Sequence, residues 1–174
     1  MTEEYAAARY EDACALLPGR LRAAAMSIER GQKAAAEELR LRIGRQVYLS
    51  MPSGELALPQ TRVGRGDLEQ VLDRATEYSR YAAAETIRHG YLTAPGGFRI
   101  GLCGTALPLE GQNEGVRDIS SLAIRIPRVQ EGAAVPVLPE LLEDGRPLSA
   151  LLLSPPGGGK TTLLRDLVRL LSQG

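Results

Sequence analysis

Residues 150–171 read Ala150-Leu-Leu-Leu-Ser-Pro-Pro-Gly-Gly-Gly-Lys-Thr-Thr-Leu-Leu-Arg-Asp-Leu-Val-Arg-Leu-Leu171, and three patterns meet in them. Ala150 to Leu153 is a continuous apolar run, the kind that fills a strand buried on both faces of a parallel sheet. Ser154 to Gly159 is a proline and glycine turn that interrupts any regular element. From Lys160 onward, Leu163, Leu164, Leu167, Val168 and Leu171 recur at helical spacing, which predicts an amphipathic helix to about Leu171. Strand, glycine-rich turn and helix, in that order, is how a phosphate-binding loop is built.

Each residue type in the loop has a chemical job. A triphosphate needs several donors converging on one concave place, and a glycine-rich turn leaves backbone N–H groups unshielded to supply them. Pro155 and Pro156 have no N–H, so the donors fall to Gly157, Gly158, Gly159, Lys160, Thr161 and Thr162. The start of the following helix adds its unpaired amides and its positive dipole end. Lys160 brings a mobile cation to the β- and γ-phosphates, and the Thr161 hydroxyl is a hard oxygen ligand suited to Mg²⁺. One position departs from the general G-x-x-x-x-G-K-[ST] pattern, because Ser154 stands where the first glycine belongs. The alternative is a Gly/Pro linker that happens to end in Lys-Thr-Thr; the strand pattern before it and the helix pattern after it favour the loop. The expected ligands are ATP and Mg²⁺, held by Ser154 and Gly157 to Thr162. The loop reads phosphates rather than bases, which leaves adenine and guanine both open.

Upstream the pattern is different. Residues 3–17 and 20–30 read as two helices broken by Leu17-Pro18-Gly19, with Gly31 at the C-terminus of the second. Leu39, Leu41 and Ile43 alternate with Arg40 and Arg42, a half-buried strand with its arginines in water. Val47 to Leu49 is a second strand, followed by a turn at Pro52-Ser-Gly54. Asp67 caps a helix that carries Leu68, Val71, Leu72, Ala75 and Tyr78, and a further helical stretch runs from Tyr81 to Arg88. Tyr91 to Thr93 and Phe98 to Ala106 form a hairpin around Ala94-Pro-Gly-Gly97, with Phe98, Ile100 and Leu102 on one face. Residues 107–117 read as a polar loop, and Leu122 to Ile126 as a short strand. The expected organisation is an α+β N-terminal domain over residues 1–130 and a linker over 131–148 with one helical turn near Pro139 to Leu142. Residues 149–174 are then the opening strand, loop and helix of an α/β domain, incomplete within this chain.

Composition bounds the function. With one Phe, six Tyr and no Trp in 174 residues, the core is packed from Leu, Ala, Ile and Val. The 21 basic and 21 acidic residues cancel, which removes the basic excess that accompanies nucleic-acid binding. Cys14 and Cys103 have no metal-like spacing and read as two reduced, mostly buried thiols. No apolar run approaches the length of a spanning helix, and the acidic start lacks a signal-peptide core, so the expected location is cytoplasmic.

The segment Leu151 to Asp166 closely resembles the phosphate loop of the stage III sporulation protein AA family, secretion-type ATPases of endospore-forming bacteria. Glu38-Leu-Arg-Leu-Arg-Ile43, His89-Gly-Tyr-Leu-Thr93, Gly96-Gly-Phe-Arg-Ile-Gly-Leu-Cys-Gly104 and Asp118-Ile-Ser-Ser-Leu-Ala-Ile-Arg-Ile126 resemble the same family in the same order. The likeness covers about residues 12–173, and it makes Ser154 a family trait. It implies a RecA-like P-loop ATPase domain after the α+β domain, hexameric rings, and a place at the inner face of a membrane. It further implies stage III sporulation membrane proteins as partners, in a secretion-like channel complex between mother cell and forespore. Such an ATPase also needs a later strand ending in an acidic residue. These 174 residues hold none after the loop helix, so the chain alone is expected to turn over little or no ATP.

Three other features are weaker. Gly101-Leu-Cys-Gly104 matches the GxxG of KH-type RNA binders, but it falls in an apparent strand, where close backbone packing explains it better. Arg40, Arg42, Arg45, Arg99 and Arg125 read as a solvated sheet face. His89 lies at a helix end and has no identifiable catalytic partner, and no catalytic residue is assigned. A function of a different class is a non-catalytic assembly module whose loop is vestigial.

Overall fold

The computed structural model describes residues 3–77, 79, 83–109, 112–127, 131–156 and 158–172. Two compact units divide the chain, Thr2–Pro127 and Arg128–Gly174.

The first unit begins with helix α1 (Glu3–Cys14), which buries Ala6, Ala7, Tyr10, Ala13 and Cys14 at helical spacing. Pro18 occupies the N-cap of α2 (Gly19–Met26), as the Pro-Gly break predicts. Both helices are short of their predicted ends. The Ser27 hydroxyl donates to the Ala24 carbonyl at 2.8 Å and helps close α2. A separate helix, α3 (Arg30–Ala35), then starts, with the Glu29 amide donating to Gln32 Oε1 at 3.3 Å. Gly31 therefore lies inside α3 rather than terminating α2. The Tyr10 hydroxyl donates to the Ala25 carbonyl at 2.8 Å and ties α1 to α2 in the core. Burial lifts the Tyr10 phenol above its usual range and pushes the Cys14 thiol up to about 12, so both stay neutral. Cys103, in contrast to the expectation of two buried thiols, is exposed.

Strands β1 (Glu38–Arg42), β2 (Tyr48–Met51), β3 (Gly54–Ala57), β4 (Tyr91–Ala94), β5 (Phe98–Leu109) and β6 (Gln112–Arg125) form one sheet in the order β3-β2-β1-β6-β5-β4. Every pairing is antiparallel. Leu39, Leu41, Leu49, Ile100, Leu102, Leu122 and Ile124 line its core face and pack with α1, α2 and α4 (Arg65–Ala75). Arg40, Arg42, Arg99 and Arg125 lie on the opposite, exposed face, which is the period-two division read from the sequence. Arg40 pairs there with Glu38 and Glu55, and Arg99 stacks on the Tyr91 ring at 4.1 Å.

Several elements depart from expectation. Ile43 lies beyond β1 and is 36% exposed, because the chain turns at Gly44 in the left-handed region. The predicted polar loop at 107–117 is instead the end of β5 and the start of β6, paired through Pro108↔Asn113 and Leu109↔Gln112. Ladder bonds join backbone groups and need no apolar alternation, so the arm left no periodic signal. Gly101 and Gly104 both lie in β5, as the packing explanation of the GxxG requires. A Cβ on Gly104 would collide with the Arg117 carbonyl and approach Val116 Cγ1 to 2.8 Å, at a bulge between Cys103 and Thr105. Helix α4 starts two residues before Asp67. Gly64 is its N-cap, and the Asp67 carboxylate, one turn in, accepts from the Gly64 amide at 2.7 Å and from Arg20. Helix α5 (Ala84–Arg88) ends at His89 and Gly90; Tyr78 and Tyr81 lie outside the described residues.

In the second unit a 3₁₀ turn (Leu138–Leu141) leads into a small hairpin, β7 (Leu142–Glu143) and β8 (Arg146–Pro147). Asp144 and Gly145 make its turn with φ of 50° and 74°, the geometry for which Asp-Gly is favoured. Helix α6 (Lys160–Ser172) follows, with the bounds the apolar spacing predicts. Ala150 to Leu153 is not a strand: Leu151 and Leu153 are 82% and 83% exposed, and among the described residues no strand pairs with them. An extended segment becomes a strand only when a neighbour takes up its N–H and C=O groups.

Candidate functional site

Ser154 to Thr162 joins the extended apolar segment to α6. The Gly158 amide donates to the Pro155 carbonyl at 3.1 Å and closes a tight turn that begins at Pro155. A Cβ on Gly158 would collide with the Ser154 hydroxyl and stand 2.9 Å from its Cβ and 3.0 Å from the Pro155 carbonyl. Glycine is therefore required there by space. At Gly159 it is required by conformation, since φ is +78° while nothing crowds the position. Gly157 lies outside the described residues.

The first bond into α6 runs from the Leu163 amide to the Gly159 carbonyl at 2.9 Å, so the amides of Lys160, Thr161 and Thr162 precede the ladder. Thr161 is exposed and Thr162 half-buried at this end of the helix. The Lys160 ammonium folds back over the turn. It donates to the Ser154 carbonyl at 2.8 Å, the Ser154 hydroxyl at 3.1 Å and the Pro155 carbonyl at 3.0 Å. The structure thus brings Ser154, Gly158, Gly159 and Lys160 together, with Thr161 and Thr162 on the adjoining first turn.

Sequence reasoning missed how α6 is anchored. Asp166 is 2% exposed and sits one and a half turns beyond Lys160. Its Oδ2 accepts the Ala134 amide at 2.8 Å, and its Oδ1 accepts Arg169 Nε at 2.9 Å and Nη2 at 2.7 Å. The Ala134 amide foremost, then the Arg169 guanidinium, hold this carboxyl below the ordinary aspartate range. An Asp and an Arg three apart on a helix was the signal available in the sequence. The backbone partner, 32 residues earlier, left none.

The family model described as Sporulation stage III, protein AA, matches residues 7–174. The chain belongs to that family. Stage III sporulation protein AA of Bacillus subtilis (strain 168) is 40% identical over 159 residues, which are 91% of this chain and 51% of that protein. The chain therefore spans about half the length of this relative. Solved structures with some likeness include the Legionella pneumophila ATPase DotB, at 15% identity and a TM-score of 0.42, covering 100% of this chain and 43% of that one. The VirB11 ATPase from the Brucella suis type IV secretion system, in complex with sulphate, has 18% identity and a TM-score of 0.36, covering 78% and 41%. Scores of that size do not establish a common fold. No helix among the described residues is long and apolar enough to cross a membrane.

Proposed function

We infer that this member of the stage III sporulation protein AA family binds ATP with Mg²⁺ at the loop Ser154 to Thr162, in which Gly157 to Thr162 supply the donors and Ser154 forms the entry. The observation that carries the reading is the meeting of three things at one place. They are a bare glycine turn, the N-terminal end of α6 and the Lys160 ammonium.

These residues fit a polyphosphate. Gly158 lets Ser154 and Pro155 pack close to the turn where any side chain of its own would collide, and Lys160 folds over the same turn. The amides of Gly157 and of Gly159 to Thr162 would hold the phosphate oxygens, with that of Gly158 once released from the Pro155 carbonyl, and the Thr161 hydroxyl would hold Mg²⁺. When bound, the metal neutralises charge that develops on the phosphoryl oxygens. In this reading, residues 1–130 are an α+β domain, 131–148 a linker, and 149–174 the opening of a RecA-like ATPase domain. The protein acts as a hexamer on the cytoplasmic face of a membrane, beside other stage III sporulation proteins, where it energises a secretion-like channel. Its balanced charge favours no nucleic acid.

A fluorescent ATP analogue tests the reading. Mg²⁺-dependent binding to the wild-type chain should weaken by about tenfold or more in Lys160→Ala, the scale of a lost charge-assisted contact. No binding by either protein would favour the assembly module with a vestigial loop.

A further inference from the structure

Ser154 stands where the general phosphate-loop pattern has glycine, and two independent features make it more than a tolerated replacement. Both of its oxygens, carbonyl and hydroxyl, accept from the Lys160 ammonium, at 2.8 and 3.1 Å. Its side chain also fills the space above Gly158 that a Cβ there would need. Glycine at 154 would supply the carbonyl alone and leave that space empty.

We propose that Ser154 is a latch: its hydroxyl helps hold Lys160 folded onto the loop, and a nucleotide phosphate must displace at least one of the three oxygens that take up the ammonium's donors before Lys160 can contact it. The proposal rests on the reading of this loop as a nucleotide site. The competition is direct, because the oxygens that hold the ammonium and the phosphate oxygens that would recruit it require the same donors. Ser154 is thus a positioning residue that acts through Lys160. Removing its hydroxyl leaves two carbonyl acceptors, so the latch is weakened rather than abolished. The affinity for ATP should then rise, where loss of a phosphate ligand would make it fall.

The chain has two lysines, Lys33 and Lys160, which makes the amine chemistry readable one residue at a time. Lys33 is ion-paired with Glu11 at 2.8 Å in the first unit and serves as the internal reference. The nucleotide-free chain is reductively methylated with formaldehyde and cyanoborohydride, and each lysine is followed by peptide mass spectrometry. An amine reacts only when it leaves the oxygens that hold it. Ser154→Ala and Ser154→Gly should each raise the Lys160 rate about threefold relative to Lys33, as expected for one lost hydrogen bond. ATP affinity should rise by a similar factor in both. Unchanged labelling in both variants overturns the latch, and so does faster labelling accompanied by weaker ATP binding. Faster labelling in a chain that binds no nucleotide in any form supports the latch and contradicts the proposed function instead.

Discussion

Gly158 and Asp166 carry most of the local argument, for opposite reasons. At Gly158 the requirement is the absence of a side chain, since a methyl group would meet both Ser154 and Pro155. Gly158→Ala should therefore weaken MgATP binding by about tenfold or more, a strain of roughly 1.4 kcal/mol. The thermal midpoint should fall by a few degrees at most, because the exposed loop can shift to relieve the clash. Fluorescent-nucleotide titration alongside a melting curve checks both halves. At Asp166 the requirement is charge. Its carboxyl is held below the ordinary range by the Ala134 amide and the Arg169 guanidinium, so the ionised form stabilises the folded chain. That stabilisation is fully present above the ordinary aspartate value of about 3.9 and is lost as pH falls through the lower folded value. Urea midpoints followed by far-UV circular dichroism should place Asp166→Asn below wild type near neutrality. The gap should close as pH falls below the ordinary aspartate range and through the lower folded value. A gap that stays constant with pH would mean that the charge contributes nothing.

At the level of elements, the sheet depends on one close approach. Where β5 bulges between Cys103 and Thr105, Gly104 lies against the Arg117 carbonyl, Val116 and the Ile119 Cα. Two of those neighbours are backbone, which cannot rotate away. Gly104→Ala should cost about 1–3 kcal/mol in urea unfolding, the range for overpacking. Gly101→Ala, whose added Cβ would meet ordinary contacts at 3.8 and 4.0 Å, should cost less. If the two variants proved equally stable, the bulge would not be a tight one. The elements that a sequence reading reaches are those with a buried face. β1, the Phe98 side of β5, α4 and α6 all show their periodicity. β3 and the 107–117 arm do not, since backbone pairing creates them without an apolar pattern. The second helix was carried on to residue 30 and α3 was missed, because the break between them, Ser27 to Glu29, contains neither proline nor glycine.

For the molecule as a whole, the two units were legible to different degrees. The first is a two-layer α+β arrangement in which, among the described residues, the apolar stripes read for β1, α4 and β5, Ile43 excepted, lie in the core. In the second, the glycine turn and α6 were legible because their residues are consecutive and their signals local. The strand predicted before it was not realised. Leu151, Leu153, Leu164 and Val168 stand exposed on this unit. The Asp166 anchor was invisible in the sequence because its partners are joined only by folding. These features matter to function only if the loop takes up nucleotide. The most direct measurement is an isothermal titration of the chain with MgATP. The account predicts one site per chain, lost when Mg²⁺ is chelated and lost in Lys160→Ala. No heat of binding from a well-folded chain, or equal binding by Lys160→Ala, would contradict it.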